Sequence, residues 1–346
     1  MEEAFVIDWS GDRTHVLLNP RLPADEQERL ERLGRASRLR GHIIVATSGS
    51  SGALKLVALS KEAVLASAAA VNERLEVTSA DIWCRVLPIF HVGGLGIQAR
   101  AHLAGARVIS MSWDPRAFAL TDATLLSLVP TQIHDILGAS VKPPARLRAV
   151  LIGGGALDAE LQTRALAAGW PVLASYGMSE CASTVTVEDV LLSHLNARVE
   201  GDGRLAFRGL SLLTGYIDES GLVDPKVDGW FVSQDVGEVD ERRVRVRGRR
   251  GEFIKIGGES VDLARLDRIL DGVRGGVDAA LLPVADDRLG NIIHLAVAGS
   301  ADDIVEKFNA RVLPFERIRE IHHVNSIPRS SLGKLLRSQL LELIVR

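Results

Sequence analysis

Two neighbouring stretches decide the fold: Ala149-Val-Leu-Ile-Gly-Gly-Gly155, and, after a helical interval, Val172-Leu-Ala-Ser-Tyr-Gly-Met-Ser-Glu180. Each begins as a short apolar run and breaks into small, flexible residues. Residues 158–168 between them carry apolar side chains at helical spacing, so the pair reads strand, turn, helix, strand, turn. The pattern extends in both directions. Apolar runs at 84–87, 107–109 and 125–129 precede it, and a short run at 42–46 leads into a Gly/Ser loop. That loop is followed by a helical stretch over 61–75 with Ser60 placed as its N-cap, where a hydroxyl takes up free backbone N–H groups. Strands alternating with helices specify an α/β sheet whose ligands gather beyond the carboxyl ends of the strands.

Outward from this core, residues 24–39 form a charged helix that reads as mostly solvated. Near residue 240 the texture changes. Arg242-Arg-Val-Arg-Val-Arg247 alternates charge and valine as a half-exposed edge strand does, and it ends at Gly248-Arg-Arg-Gly251, flexible and charged enough for a hinge. The remaining residues hold strands at 279–282 and 292–297 and helices at 263–270, 303–312 and 334–344, the content of a small α+β domain. The expected division is a large α/β domain over 1–248 and a small α+β domain over 249–346, hinged near 248–252.

Composition excludes several classes of protein. The chain has 346 residues, 47% of them hydrophobic, enough for two cores, and its net charge of −3 gives no global attraction to nucleic acid or an anionic membrane. The two cysteines, Cys84 and Cys181, are too few for a disulfide framework or a zinc site and read as buried small hydrophobes. Met1-Glu-Glu-Ala has no basic lead into an apolar run, and no stretch has the length of a membrane span. A cytoplasmic enzyme of small anionic substrates, with its positive charge concentrated locally, is the expectation.

Four motifs carry candidate chemistry. In Thr47-Ser48-Gly49-Ser50-Ser51-Gly52-Ala-Leu-Lys55, the glycines let backbone N–H groups turn toward an anion, the hydroxyls add donors and Lys55 adds charge. Leu54 stands where a Walker A loop requires glycine, so this is either a phosphate cradle of another kind or an ordinary turn. In Tyr176-Gly177-Met178-Ser179-Glu180, the tyrosine offers a face for a purine and the glutamate a hard oxygen for Mg²⁺; a core tyrosine and a surface glutamate fit the residues too. Gly153, Gly154 and Gly155 leave room for an adenine to approach the backbone. Asp235 could hold ribose hydroxyls and Arg249 the ribose or phosphates, although each alone is more often a surface charge. Gly333-Lys334, after Pro328-Arg-Ser-Ser-Leu, opens the last helix and means little by itself.

Taken together and in this order, Thr47–Lys55, Tyr176–Glu180, Asp235, Gly248–Arg249 and Gly333–Lys334 resemble the adenylate-forming superfamily of acyl-CoA ligases, peptide-synthetase adenylation domains and luciferases. The resemblance runs from about residue 43 to the end. It implies that ATP and Mg²⁺ activate a carboxylic acid as an acyl-adenylate, which coenzyme A then takes as a thioester. It implies that Lys55 and the loop hydroxyls hold the β- and γ-phosphates, Glu180 the Mg²⁺, and that Lys334 bridges the attacking carboxylate and the α-phosphate. A rotation of the small domain then withdraws the lysine and opens a pantetheine tunnel lined by Gly257 and Gly258, with His91 swinging aside; a lone histidine beside Phe90 is otherwise more often a packed residue.

A narrower resemblance, to the acid–CoA ligases that act on o-succinylbenzoate in menaquinone synthesis, lies in Leu87-Pro-Ile-Phe-His91-Val-Gly-Gly-Leu-Gly-Ile-Gln-Ala-Arg100, Ser127-Leu-Val-Pro-Thr-Gln132, Val150–Ala156 and Tyr176–Val185. It places Arg100 in the acid pocket against a substrate carboxylate, with Ser127, Ser183 and Thr184. Helical spacing supports this: over 94–104, Arg100 shares a face with Ile97, Leu103 and Ala104, expected to point inward, and a buried arginine requires an anion. An arginine that snorkels out or pairs with a protein carboxylate is the competing account. The chain also departs from its relatives. The segment before the phosphate loop is much shorter, which leaves the acid pocket more open or calls on a homodimer to cover it. Gly251 stands at the hinge where Asp or Lys is common, and Gly93 replaces a pocket serine. The rival readings are a ligase for another aryl or short-chain acid, and a degenerate nucleotide-binding relative.

Overall fold

The computed structural model describes residues 7–48, 54–155, 157, 159–249, 253–256, 259–286, 289–301, 303–330 and 335–344. Two compact units divide them, one of residues up to Ser233 with Gly237–Val246, the other of Gln234–Val236 with Arg247 onward. Mixed α/β sheets and helices build the first, as the strand-and-helix alternation requires.

Its centre is an eleven-stranded sheet. Five strands run parallel in it, in the spatial order Arg107–Ser110, Ile82–Arg85, Leu125–Leu128, Ala149–Ile152 and Val172–Met178. Every residue of Leu125–Leu128 and Ala149–Ile152 is buried, the continuous apolar run of strands covered on both faces. At Val172–Met178 the direction reverses: Ser183–Val187 pairs with it antiparallel, and a register shift falls between Tyr176 and Gly177. A side chain at Gly177 would place its Cβ 1.9 Å from the Ser183 carbonyl oxygen, so only glycine fits this crossing.

The strand Arg243–Arg249 differs from expectation. It lies within the sheet, between Phe231–Asp240 and Val190–Leu191, and is therefore not an edge. Its alternation survives because Val190–Leu191 is two residues long and pairs with it only at Arg243, leaving most of its length exposed.

A second sheet of five strands contains His42–Ser48 and Leu54–Ser60 as an antiparallel pair, with Thr47 opposite Lys55. The Gly/Ser loop thus joins two strands and does not lead directly into a helix. This strand pair is buried on both faces. Ile43, Val45, Val57 and Leu59 join the main core, while Ile44, Leu56 and Ala58 meet Leu30 and Leu33 of the helix Ala24–Ala36. That helix is amphipathic and not simply a solvated one.

The helix Lys61–Leu75 has the bounds the sequence implies, and Ser60 Oγ accepts a hydrogen bond from the Ala63 amide at 3.1 Å. It ends at Glu76 in the left-handed region, φ 51°. Val64 and Ala68 pack into one core cluster and Ala70, Val71 and Leu75 into another, so the helix is apolar around most of its circumference.

The second unit is built on a three-stranded sheet, Asp278–Asp286, Gly290–Ala298 and Ile318–His323, with Gly290–Ala298 in the middle. One face packs on the helices Leu263–Asp271 and Ile304–Asn309, the other on Leu340 of the helix Arg337–Ile344 and on Ile327, which precedes that helix. A hairpin, Phe253–Ile256 with Glu259–Asp262, adds a two-stranded sheet. No helix among the described residues is long and apolar enough to cross a membrane. Both cysteines are free and buried, and burial pushes the Cys84 thiol up to about 12.

Candidate functional site

Neighbouring turns meet beyond the carboxyl ends of the parallel strands. Gly153–Gly155 follows Ala149–Ile152, and Val129-Pro130 follows Leu125–Leu128. A Cβ added at Gly154, where φ is +77°, would lie 3.2 Å from Val129, and one at Gly153 would lie 3.0 Å from Ser175 Oγ. Ser175 Oγ, on the strand Val172–Met178, donates to the Ile152 carbonyl at 2.9 Å, tying that strand's end to its neighbour. Tyr176, Gly177 and Met178 finish the next strand, and Ser179 and Glu180 form one turn of 3-10 helix. The Tyr176 ring is half-buried against the main core, 6.2 Å from Phe207.

Glu180 is oriented by a residue that sequence reasoning missed. Tyr216 donates its hydroxyl to Glu180 Oε1 at 2.8 Å, and Lys55 Nζ lies 5.5 Å from the centroid of the same ring. Tyr216 reaches this point because its strand, Gly215–Asp218, pairs antiparallel with Leu54–Ser60, bringing it opposite Val57. Lys55, exposed on that strand, and Glu180 therefore flank one aromatic ring. A cation and a hard carboxylate so arranged suit a polyphosphate and its Mg²⁺, because Tyr216 holds one carboxylate oxygen with an uncharged donor and adds no competing charge. Thr47 and Ser48 end the facing strand; Gly49, Ser50, Ser51 and Gly52 lie outside the described residues.

Arg100 is buried in the helix Val92–Ala104, 2% exposed. Its guanidinium donates to Thr184 Oγ1 at 2.9 Å and more weakly to Ser183 Oγ and Ser127 Oγ, both at 3.4 Å. It lies over the Trp83 ring, 5.4 Å from the centroid, and its Nε has no hydrogen-bond partner. Among the described residues no carboxylate neutralises it, and desolvation alone brings its pKa down to about 10. The four side chains named from the sequence, Arg100, Ser127, Ser183 and Thr184, thus stand in direct contact. Gly96 completes the arrangement: a Cβ there would press on the guanidinium at 3.2 Å and on Ser183 Oγ at 3.3 Å. Its position four residues before Arg100, on the same helical face, was visible in the sequence. Ile97 is buried as expected, but the inward face differs in part, because Leu103 is 44% exposed and Leu95 and Ala99 fill the interior in its place. Leu103 sits in the last turn, where the helix leaves the core.

His91 is the N-cap residue of this helix without a side-chain cap bond. Its ring packs 4.6 Å from Phe90, its buried Nε2 has no partner, and burial lowers its pKa, so the imidazole is neutral at pH 7. Asp235 and Arg249 are in the other compact unit, where they form an ion pair at 3.1 Å. Gly257, Gly258 and Lys334 lie outside the described residues.

The model of the AMP-binding enzyme family matches residues 14–209, more than half of the chain, and the chain belongs to that family. It is 31% identical over 324 residues to the probable 2-succinylbenzoate–CoA ligase of Mycobacterium tuberculosis, covering 86% of this chain and 83% of that protein. To the 2-succinylbenzoate–CoA ligase of Staphylococcus epidermidis it is 29% identical over 325 residues, covering 86% and 69%. Among solved structures, an Escherichia coli MenE variant with bound OSB-AMS is similar with a TM-score of 0.73 and 27% identity, covering 87% of this chain and 68% of that one.

Proposed function

We propose that the chain is an acid–thiol ligase that uses ATP to adenylate o-succinylbenzoate and transfers the acyl group to coenzyme A. The observation that carries the choice of acid is Arg100: a guanidinium buried among three hydroxyls and a tryptophan face, with no carboxylate among the described residues to balance it. Burying such a charge is costly unless an anion completes it, and a dicarboxylic acid brings one carboxylate for Arg100 and a second for the reaction. The relatives' names point to the same acid.

In this reaction one anion must approach a polyanion, so positioning and positive charge dominate the barrier. Arg100 fixes the non-reacting carboxylate. Lys55, with the hydroxyls of Thr47, Ser48, Ser50 and Ser51, holds the β- and γ-phosphates, while Gly153–Gly155 and Tyr176 receive the adenine. Asp235 and Arg249 take the ribose once their mutual ion pair opens. Mg²⁺ held by Glu180 would draw charge from the phosphate oxygens. Lys334 bridges the attacking carboxylate and the α-phosphate, pyrophosphate leaves, and the sulfur of coenzyme A then displaces AMP. His91, neutral and packed on Phe90, acts by moving aside and not as a base. In domain terms, residues 1–248 supply the acid pocket and phosphate loop, and 249–346 the lysine.

A panel of acids assayed with ATP, Mg²⁺ and coenzyme A, followed by AMP release, tests the proposal. o-Succinylbenzoate should give the highest kcat/KM, and aryl monocarboxylates of similar size should give far lower values. A monocarboxylate turning over best would reject the choice of acid. No acid-dependent ATP–pyrophosphate exchange with any member of the panel would reject the ligase reading.

A further inference from the structure

In the second unit, three side chains unrelated to the ligase chemistry converge on one sheet face. His294 lies on the middle strand, Gly290–Ala298, and Glu320 and His322 on the adjacent outer strand, Ile318–His323. The strands run parallel with His294 opposite Glu320 and Ala296 opposite His322, so the period of two puts all three on the same face. One ligand atom from each residue lies within 4.8 Å of the other two. His294 Nδ1 and His322 Nε2 are 2.9 Å apart, with the rings stacked at 5.0 Å, and the Glu320 carboxylate lies 3.7 Å from His294 Nε2 and 4.0 Å from His322 Nε2.

We infer that His294, Glu320 and His322 form a binding site for a divalent transition-metal ion of the zinc class. Two imidazole nitrogens on one tetrahedral zinc ion, each at about 2.0–2.1 Å, stand about 3.3 Å apart. The observed pair is within a few tenths of an ångström of that separation. His294 is 6% exposed on a central strand, so one ligand is held rigidly, while the Glu320 side chain is 60% exposed and free to swing inward. The buried His294 Nε2 has no hydrogen-bond partner. That nitrogen carries the proton in the tautomer whose Nδ1 lone pair faces His322, which is the tautomer a metal requires. Two imidazoles and one carboxylate suit zinc, cobalt or nickel, whereas Mg²⁺ prefers all-oxygen surroundings and would not compete. The fourth position is left to water, and the ion would tie the outer strand to the middle one.

The test is calorimetric titration of the full chain, freed of metal by a chelator, with ZnCl₂ in the presence of millimolar MgCl₂, together with CoCl₂ titration read by visible absorption. One saturable site per chain is expected, with a tetrahedral cobalt spectrum and a thermal midpoint that rises with zinc. His322→Ala and Glu320→Gln change residues on the outer strand, and circular dichroism would check their folds. Each should weaken binding by at least about tenfold, the scale on which even the groups surrounding metal ligands act. Failure of the wild-type chain to bind zinc saturably, or wild-type affinity in His322→Ala, would overturn the proposal.

Discussion

At the scale of single residues, the site depends on charges whose neighbours are neutral. Arg100 is the sharper case, because hydroxyls can orient a guanidinium but cannot balance it. Replacing it with leucine keeps most of the buried volume and removes the anion partner. Hydrogen bonds to charged groups contribute about 1.5–3 kcal/mol, so Arg100→Leu should raise KM for o-succinylbenzoate by about 10- to 150-fold and leave KM for ATP nearly unchanged. Steady-state kinetics with each substrate varied in turn would check this, and an unchanged acid KM would remove Arg100 from the pocket. Tyr216 is subtler. Its hydroxyl aims the Glu180 carboxylate, and the phenylalanine variant keeps the ring beside Lys55 while losing that bond. A hydrogen bond to an ionised carboxylate contributes about 1.5–3 kcal/mol, so Tyr216→Phe should raise the Mg²⁺ concentration for half-maximal rate by about tenfold or more. Activity measured against MgCl₂ at saturating acid reads this directly. Arg100 could be named because the stretch Leu87–Arg100 resembles the o-succinylbenzoate ligases, with helical spacing in support. Tyr216 could not, since its role depends on the pairing of two strands about 160 residues apart.

Secondary-structure elements were legible where their signals are local. The Lys61–Leu75 helix announces itself through its serine cap and its alanines, and the buried strands through unbroken apolar runs. The partner strand Leu54–Ser60 was missed because the Gly/Ser loop before it masks a hairpin, and the placement of Arg243–Arg249 inside a sheet rests on remote neighbours. Long-range ties between elements were likewise invisible. Asp81, just before the strand Ile82–Arg85, accepts two hydrogen bonds from Arg148 at 2.9 and 2.8 Å, one from Thr124 at 2.7 Å and one from the Thr78 amide at 2.9 Å. Arg148 also donates to the Leu75 carbonyl at 2.6 Å, so one ion pair joins a helix end to the starts of two strands. The Arg148 guanidinium holds the Asp81 carboxyl well below the usual carboxylate range. A depressed carboxyl stabilises the folded state fully above its unfolded pKa, about 3.9, and that contribution fades as pH falls toward the native value. Asp81→Asn should therefore lower stability at pH 7 by about 1–3 kcal/mol, Arg148 being partly exposed, and the gap should narrow below pH of about 4. Denaturant midpoints of both proteins at neutral and acidic pH would show it; a constant gap would mean the pair's charge is irrelevant.

At the scale of the whole molecule, the residues assigned to the reaction belong to two compact units with separate cores. Arg100, Lys55 and Glu180 belong to the larger, while Lys334 falls in the sequence range of the smaller. That division of chemistry makes the two half-reactions separable by mutation. In the proposed mechanism adenylation brings a carboxylate onto the α-phosphate and draws on the lysine's positive charge in the transition state, whereas thioester formation starts from the already activated acyl-adenylate and proceeds with the lysine withdrawn. Lys334→Ala should abolish acid-dependent ATP–pyrophosphate exchange, by a factor of about 10² or more if the lost charge contributes as oxyanion-stabilising groups do. The same variant, supplied with synthetic o-succinylbenzoyl-adenylate and coenzyme A, should form the thioester at close to the wild-type rate. Exchange and single-turnover thioester formation measured side by side distinguish the outcomes: equal loss of both half-reactions would mean that the lysine maintains the fold or acts in both steps, and intact exchange would place the catalytic cation elsewhere.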